Sequence, residues 1–322
     1  MPSPAHPMHD AGFGAQFGQN MTLNAIIFDP RFDQGCEKSS PTIGNETMLS
    51  SVLPAESCMT SSTEHPLAAV DGWPVNIVNE ADAVAKIMSA AACGGSFAAF
   101  TLNLDHLVKL RSSAVFRTAY MHARFVTADG APVARLARRQ DARIERTTGA
   151  DLIVPLARAA AAQKMPVYLF GTSPQVIAQS AADLVERCGG QLDIAGTAAP
   201  AMGFDPEGPE ADVAIDKIAA SGAKLCFVAL GAPKQEVFAA RAVARGVKVG
   251  FVCIGAALDF IAGEQSRAPL VMQKYGLEWL WRLAGSPRRL AWRYLSCALL
   301  LADIVLFGPA LRQPGGQRTT GE

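Results

Sequence analysis

Net charge is the first thing the sequence lacks. Its 322 residues carry 29 Lys and Arg against 29 Asp and Glu, which excludes a uniformly basic nucleic-acid binder and a bulk acidic tail protein. Metal-holding patterns are missing too: there is no Asp-x-Asp to pin a divalent ion to a diphosphate, and the five histidines show no His-Glu-x-x-His or other ligand spacing. No tightly bound metal and no cofactor are expected. The seven cysteines form no Cys-x-x-Cys, and Cys226 and Cys253 fall inside apolar runs that read as buried strands. This usage fits a reducing compartment. The chain does not open with a basic stretch followed by an apolar one, so no secretory signal is read and a cytoplasmic location is expected.

What is present is apolar material, 50% of the residues, enough for a sizeable core. At roughly 150 residues per domain the length suits about two domains, or one large α/β domain with appendages. The neutral total hides a distribution: residues 1–66 sum to −5, residues 67–264 to zero and residues 265–302 to +5. That last segment holds Arg267, Lys274, Arg282, Arg288, Arg289 and Arg293 against Glu278 alone. Such a segment asks for an anionic partner, either a membrane surface or a phosphorylated ligand.

Residues 1–66 are rich in Ser, Pro, Gly, Asn and Met, with one apolar patch at Ala25 to Phe28, and read as a mostly disordered leader. Gly12, Gly14 and Gly18 there follow no strand and lack dinucleotide-loop spacing. From about residue 75, short β-branched or aromatic runs alternate with helical patterns, and residues 67–264 read as one α/β domain. Strands are expected at 97–102, 125–128, 166–170, 192–195, 224–230 and 247–254, and a helix from Ser173 and Pro174 to Gly189 and Gly190. The alternation predicts a Rossmann-like, mostly parallel sheet with helices on both faces.

In such a sheet ligands bind beyond the carboxyl ends of the strands. Four expected ends carry polar or glycine-containing sequence: Thr101 to Asn103, Thr127 to Gly130, Gly171 to Pro174, and Gly231 to Glu236. They should meet on one rim. Near Pro233, where a strand runs into a helix, free backbone N–H groups suit a phosphate, although an ordinary strand–helix turn uses the same residues. Asp129 before Gly130 is a candidate general base or a turn cap. Thr101 and Asn103 are candidates for the site or for the N-cap of a helix over 104–110. Thr148 and Asp151 have the spacing of a capping box, which leaves Arg146 without a local explanation.

Residues 265–322 read as a C-terminal basic/aromatic helical appendage and tail. Trp279, Trp281, Trp292 and Tyr294 beside Arg and Lys have the composition of a helix lying at a bilayer interface. From Tyr294 to Leu311 only Asp303 is charged, which raises a spanning helix as an alternative. An Asp near the middle of such a span costs about 2.5–3.5 kcal/mol on insertion scales, and Gly308 with Pro309 shortens it. Interfacial attachment is the expectation, with a spanning helix or a soluble packed helix as alternatives.

Taken in order, several motifs resemble the WecG/TagA/CpsF family of bacterial glycosyltransferases over roughly residues 75–307. They are Thr101 to Asn103, Ala128 to Gly130, Arg146 to Leu152, Gly231 to Glu236, Leu258 to Phe260 with Gly263, Arg267 to Pro269, and Glu278 to Leu283 with Pro287, Arg288, Arg293 and Tyr294. The resemblance implies a nucleotide-sugar donor, usually UDP-linked, and an acceptor carried on a membrane polyprenyl diphosphate. It also implies inverting, metal-independent transfer in teichoic acid, common antigen, capsule or exopolysaccharide assembly. On these grounds Asp129 and Thr101 are the expected catalytic residues. Asn103, Arg146, Gly171, Gln235 and Asp259 are expected to bind substrate, and Arg267, Arg282, Arg289 and Arg293 to fold over the site and meet the leaving diphosphate. The protein would sit peripherally on the inner face of the plasma membrane, against an anionic surface, with homo-oligomer formation left open. Ala128 where the family often has Pro, the stretch Cys253 to Ala256, and the leader depart from the pattern, but none removes a polar group the chemistry needs. A non-catalytic sugar-nucleotide-binding or scaffold protein of a polysaccharide assembly complex is the alternative. A nicotinamide dehydrogenase, a third candidate, lacks its Gly-x-Gly-x-x-Gly after a strand.

Overall fold

A computed structural model describes residues 65–308. The leader as far as residue 64, and the tail beyond residue 308, lie outside the described residues. An antiparallel hairpin opens the fold, β1 (Ala68–Val70) with β2 (Trp73–Val75). Next come α1 (Glu80–Ala92), β3 (Phe97–Leu102), α2 (Leu104–Ser112), α3 (Ala114–Met121), β4 (Ala123–Ala128), α4 (Ala131–Arg138) and α5 (Gly149–Ala162). The second half runs through β5 (Val167–Gly171), α6 (Pro174–Arg187), β6 (Ile194–Ala198), α7 (Pro209–Ala220), β7 (Leu225–Ala229), α8 (Lys234–Ala244), β8 (Gly250–Cys253) and α9 (Ala257–Ile261). Three helices follow: α10 (Leu270–Tyr275), α11 (Glu278–Gly285) and α12 (Pro287–Phe307).

Six strands form one sheet in the order β4-β3-β8-β7-β5-β6, every pair parallel. The α/β architecture with helices on both faces is therefore the one that folds. Alternation along β3 shows why: Phe97 and Ala99 enter one core, Ala98 and Phe100 the other. Residues of α1, α5, α6 and α9 fill the first core, and residues of α2, α3, α7 and α8 the second. Covered on both sides, β3, β5, β7 and β8 are buried along their whole length. Asn76 lies along β4, its amide oxygen accepting from the Val126 N–H at 2.8 Å and its nitrogen donating to the Arg124 carbonyl at 2.7 Å. The side chain satisfies backbone groups that another strand would otherwise take up.

Periodicity does not reveal the hairpin, because three-residue strands are too short to show alternation. Several strand boundaries differ from expectation: β4 starts already at Ala123, β6 runs from Ile194 to Ala198, and β8 is confined to Gly250–Cys253. The thiols of Cys226 and Cys253 lie in the core, as does that of Cys297.

α12 packs on α2. Cys297, Leu300 and Ile304 are buried at the spacing of one helical face, and two ion pairs fasten the helix: Arg293 to Asp105 at 2.7 Å and Asp303 to Arg111 at 2.6 Å. Other positions leave Trp292, Leu295, Leu299, Leu306 and Phe307 exposed. Leu290–Phe307 is long and apolar enough to cross a membrane, with a mean hydropathy of 1.7, and 22% of it is buried inside the protein.

Candidate active site

A cavity of about 520 Å³ opens at the carboxyl ends of β3, β4, β7 and β8, with residues of α11 and α12 completing its wall. One side is built from side chains. The Asn103 side chain caps α2, its Oδ1 accepting from the His106 N–H at 2.9 Å. That bond fixes the other end of the amide, and Nδ2 donates to Asp129 Oδ2 at 3.4 Å. Asp129 does not cap the next helix: α4 starts from Gly130, at φ 82, with no side-chain cap bond. Its carboxyl lines the cavity instead. Burial lifts that carboxyl to about 6, against the pull of the Asn103 N–H and the Arg282 charge, while Asp151 and Glu278 push in the same direction as burial. A group in that range is ionised at neutral pH yet basic enough to take a proton. Beside it Thr101 is buried, 6% exposed, and lines the same cavity.

The facing side is built from backbone. Thr148 and Asp151 form the expected capping box, the Thr148 N–H donating to Asp151 Oδ2 at 3.0 Å and the Asp151 N–H to Thr148 Oγ1 at 3.2 Å. Gly149, the first residue of α5, lies so close to the end of β8 that a Cβ there would sit 2.6 Å from Ile254 Cα. Only glycine fits. The next loop residue, Gly255, donates its N–H to Gln235 Oε1 at 3.1 Å, and Gln235 Nε2 donates to Glu236 Oε1 at 2.7 Å.

Most of the guanidinium groups around the cavity are engaged. Arg146 donates to Glu278 at 3.0 Å, Arg293 pairs with Asp105 at 2.7 Å, and Arg267 donates to Asp151 at 2.5 Å. Against the upward push of burial, Arg267 and the Thr148 N–H hold the Asp151 carboxyl below its ordinary value. Each of these pairs joins the C-terminal segment to the sheet body. Arg282 forms no ion pair among the described residues and lies 5.6 Å from the Phe260 ring centroid. The Arg289 side chain falls outside the described residues.

The family described as glycosyl transferase WecG/TagA/CpsF matches the chain over residues 68–313. The chain belongs to that family. As a WecG/TagA/CpsF glycosyltransferase it carries the hairpin, the sheet and all three C-terminal helices within the matched region.

Of the site residues expected for this family, the cavity brings together Thr101, Asn103, Asp129, Arg146, Gln235, Arg267, Arg282 and Arg293. It does not take in Gly171 or Asp259. Gly171, at φ 129, stands where a Cβ would lie 2.3 Å from the Ala229 carbonyl oxygen, so its packing against β7 requires glycine. Asp259 accepts from Thr172 Oγ1 at 2.8 Å and Gln265 Nε2 at 3.2 Å, which ties the end of β5 to α9. Sequence reasoning missed Gly149, His106 and Trp279, all on the cavity wall, and the Arg146–Glu278 pair. A glycine in the first turn of a helix, where it carries an entropic cost, is the one local signal that could have flagged Gly149.

Proposed function

We propose that this glycosyltransferase moves a hexosyl or N-acetylhexosaminyl unit, with inversion and without a metal ion, from a UDP-linked donor to an acceptor on a polyprenyl diphosphate. It would do so in cell-surface or exopolysaccharide assembly, at the inner face of the plasma membrane. The observation that carries this reading is the Asp129 carboxyl, lifted to about 6 and held in the cavity by Asn103. The acceptor oxygen attacks the anomeric carbon and its proton passes to Asp129, while the bond from that carbon to the β-phosphate oxygen breaks and its electrons leave with UDP. Thr101 and Asn103 orient the reacting groups. Arg282 and the first-turn N–H groups of Gly149 and Ala150 meet the charge that develops on the departing diphosphate. The lack of Asp-x-Asp supports transfer without a metal. The exposed Trp292, Leu299 and Phe307 beside the cation-rich segment support peripheral contact with an anionic bilayer.

Asp129→Asn tests the base. Turnover should fall by about 10²–10⁴-fold while UDP binding survives, measured with UDP-Glc, UDP-GlcNAc, UDP-ManNAc and UDP-Gal against short-chain polyprenyl-diphosphate sugars. Near-normal turnover in a folded variant overturns the assignment. A wild-type protein that UDP does not stabilise against heat overturns the donor class.

A further inference from the structure

Glu236 is the most deeply buried carboxyl among the described residues, with 0% exposure. It forms no ion pair with Lys or Arg there, and its Oε2 has no hydrogen-bond partner. The nearest ring nitrogen, His106 Nε2, is 3.8 Å from Oε1, and burial pushes His106 down to about 3 and Glu236 up to about 7. No full opposite charge therefore offsets the desolvation of this carboxyl. An apolar residue of similar volume would serve stability as well or better, so its place in the fold has to be explained by what its other oxygen does.

That oxygen accepts from Gln235 Nε2 at 2.7 Å, and the far end of the same amide accepts from the Gly255 N–H at 3.1 Å. A Gln side chain can turn end for end in a given pocket, since its oxygen and nitrogen are nearly isosteric. Turned the other way, it would aim an NH2 group at the Gly255 N–H, donor against donor. The same Glu236 oxygen lies 3.8 Å from His106 Nε2, and the Nδ1 of that ring is 2.6 Å from the Tyr120 hydroxyl. The backbone N–H of that same His106 is the one capped by Asn103.

We infer that Glu236 is a positioning residue, which by accepting from Gln235 fixes the direction of that amide and so holds Gly255 and the backbone wall of the cavity in place for the nucleotide diphosphate. The inference rests on the reading of this cavity as the donor site. The side-chain carbonyl of Gln at this position would still accept from Gln235, whereas Leu would fill the volume and accept nothing.

Glu236→Leu should weaken UDP binding and raise donor KM by about tenfold, the worth of one buried hydrogen bond, with kcat changed less than about threefold because Asp129 and Asn103 lie on the other wall. Glu236→Gln should stay within about threefold of wild type on all three, since the acceptor is kept. In a Gln235→Ala background, Glu236→Leu should add nothing further, because the residue acts through Gln235. UDP titrations by calorimetry and melting curves on the full chain read these outcomes, and Glu236→Met replaces the Leu variant if that one does not fold. Wild-type UDP affinity in the folded apolar variant overturns the inference. So does equal loss in the Gln and Leu variants, or additive loss in the double variant. If wild-type protein does not bind UDP, the donor reading itself fails; if it binds and only the Glu236 results disagree, the donor reading stands and this inference falls.

Discussion

Asp303 Oδ2 lies 2.6 Å from Arg111 Nη1, so the one charged side chain of α12 beyond Tyr294 is a docking group. The same guanidinium also holds both oxygens of Asp71, at 2.7 and 2.8 Å. One arginine on α2 thus ties the turn of the N-terminal hairpin to the C-terminal helix. An aspartate that would be expensive in the middle of a membrane span has here a protein partner that accounts for it.

Arg111→Ala should therefore cost more than the loss of its exposed partner Asp303. It leaves Asp71, whose side chain is 6% exposed, without its cation, and a loss of about 1–3 kcal/mol is expected. Asp303→Asn, at a side chain 41% exposed, should cost about 0.2–1 kcal/mol. Urea unfolding measures both. Limited proteolysis should cut between α9 and α10 sooner in Arg111→Ala, and equal stability of the two variants would contradict this account of docking.

Asp129 makes predictions of opposite sign for stability and turnover. Its folded-state value of about 6 lies above the ordinary 3.8, so the folded chain binds the proton more tightly than the unfolded chain. Stability falls as pH rises from about 4 to about 6 and stays reduced above that. Asp129→Asn abolishes this penalty, and the melting temperature should rise at pH 7.5 with no gain near pH 4. A variant that is inactive and less stable at both pH values would rule out a desolvated base.

Asn103 donates to the charged form of Asp129 and so holds its carboxyl down. In wild type kcat/KM should fall as pH drops through about 6. In Asn103→Ala the acid limb should move to higher pH, because the bond that favoured the charged form is gone. The same change removes the cap of α2, at about 1 kcal/mol. A lowered melting temperature with an unmoved acid limb would show that Asn103 serves the helix alone.

Peripheral membrane contact has its own test. The pair Trp292→Glu and Leu299→Glu alters side chains that are 76% and 63% exposed, so folding should be unaffected while co-sedimentation with phosphatidylglycerol vesicles drops severalfold. Neutral phosphatidylcholine vesicles should bind the wild type more weakly than the anionic ones, and the difference should shrink as salt is raised. Undiminished sedimentation of the double variant would place the contact elsewhere.

The sheet was legible because its central strands are short runs buried on both faces, and because Asn103, Thr148 with Asp151, and Ser173 announce helix starts through side chains that cap locally. The strand-end rule then places Asp129, Asn103 and Gln235 on one rim. What could not be read is how the arginines would be occupied. Arg146 and Glu278 are 132 residues apart, and Arg267 finds its partner in a carboxylate whose local capping role already accounts for it. A segment sum of +5 describes the strand of sequence, whereas the charge a ligand meets is set by acids contributed from α2, α5 and α11. Gly171 and Asp259 lie outside the cavity: the glycine at the end of β5 is required by its packing on β7, and the acid, in α9, accepts from Thr172 and Gln265.

The contact between Gly149 and the Ile254 backbone has an evolutionary consequence. A wall made of main chain offers natural variation no side chain to exchange, so substitution can reshape the cavity only from across the cleft, at positions such as Trp279 and Arg282.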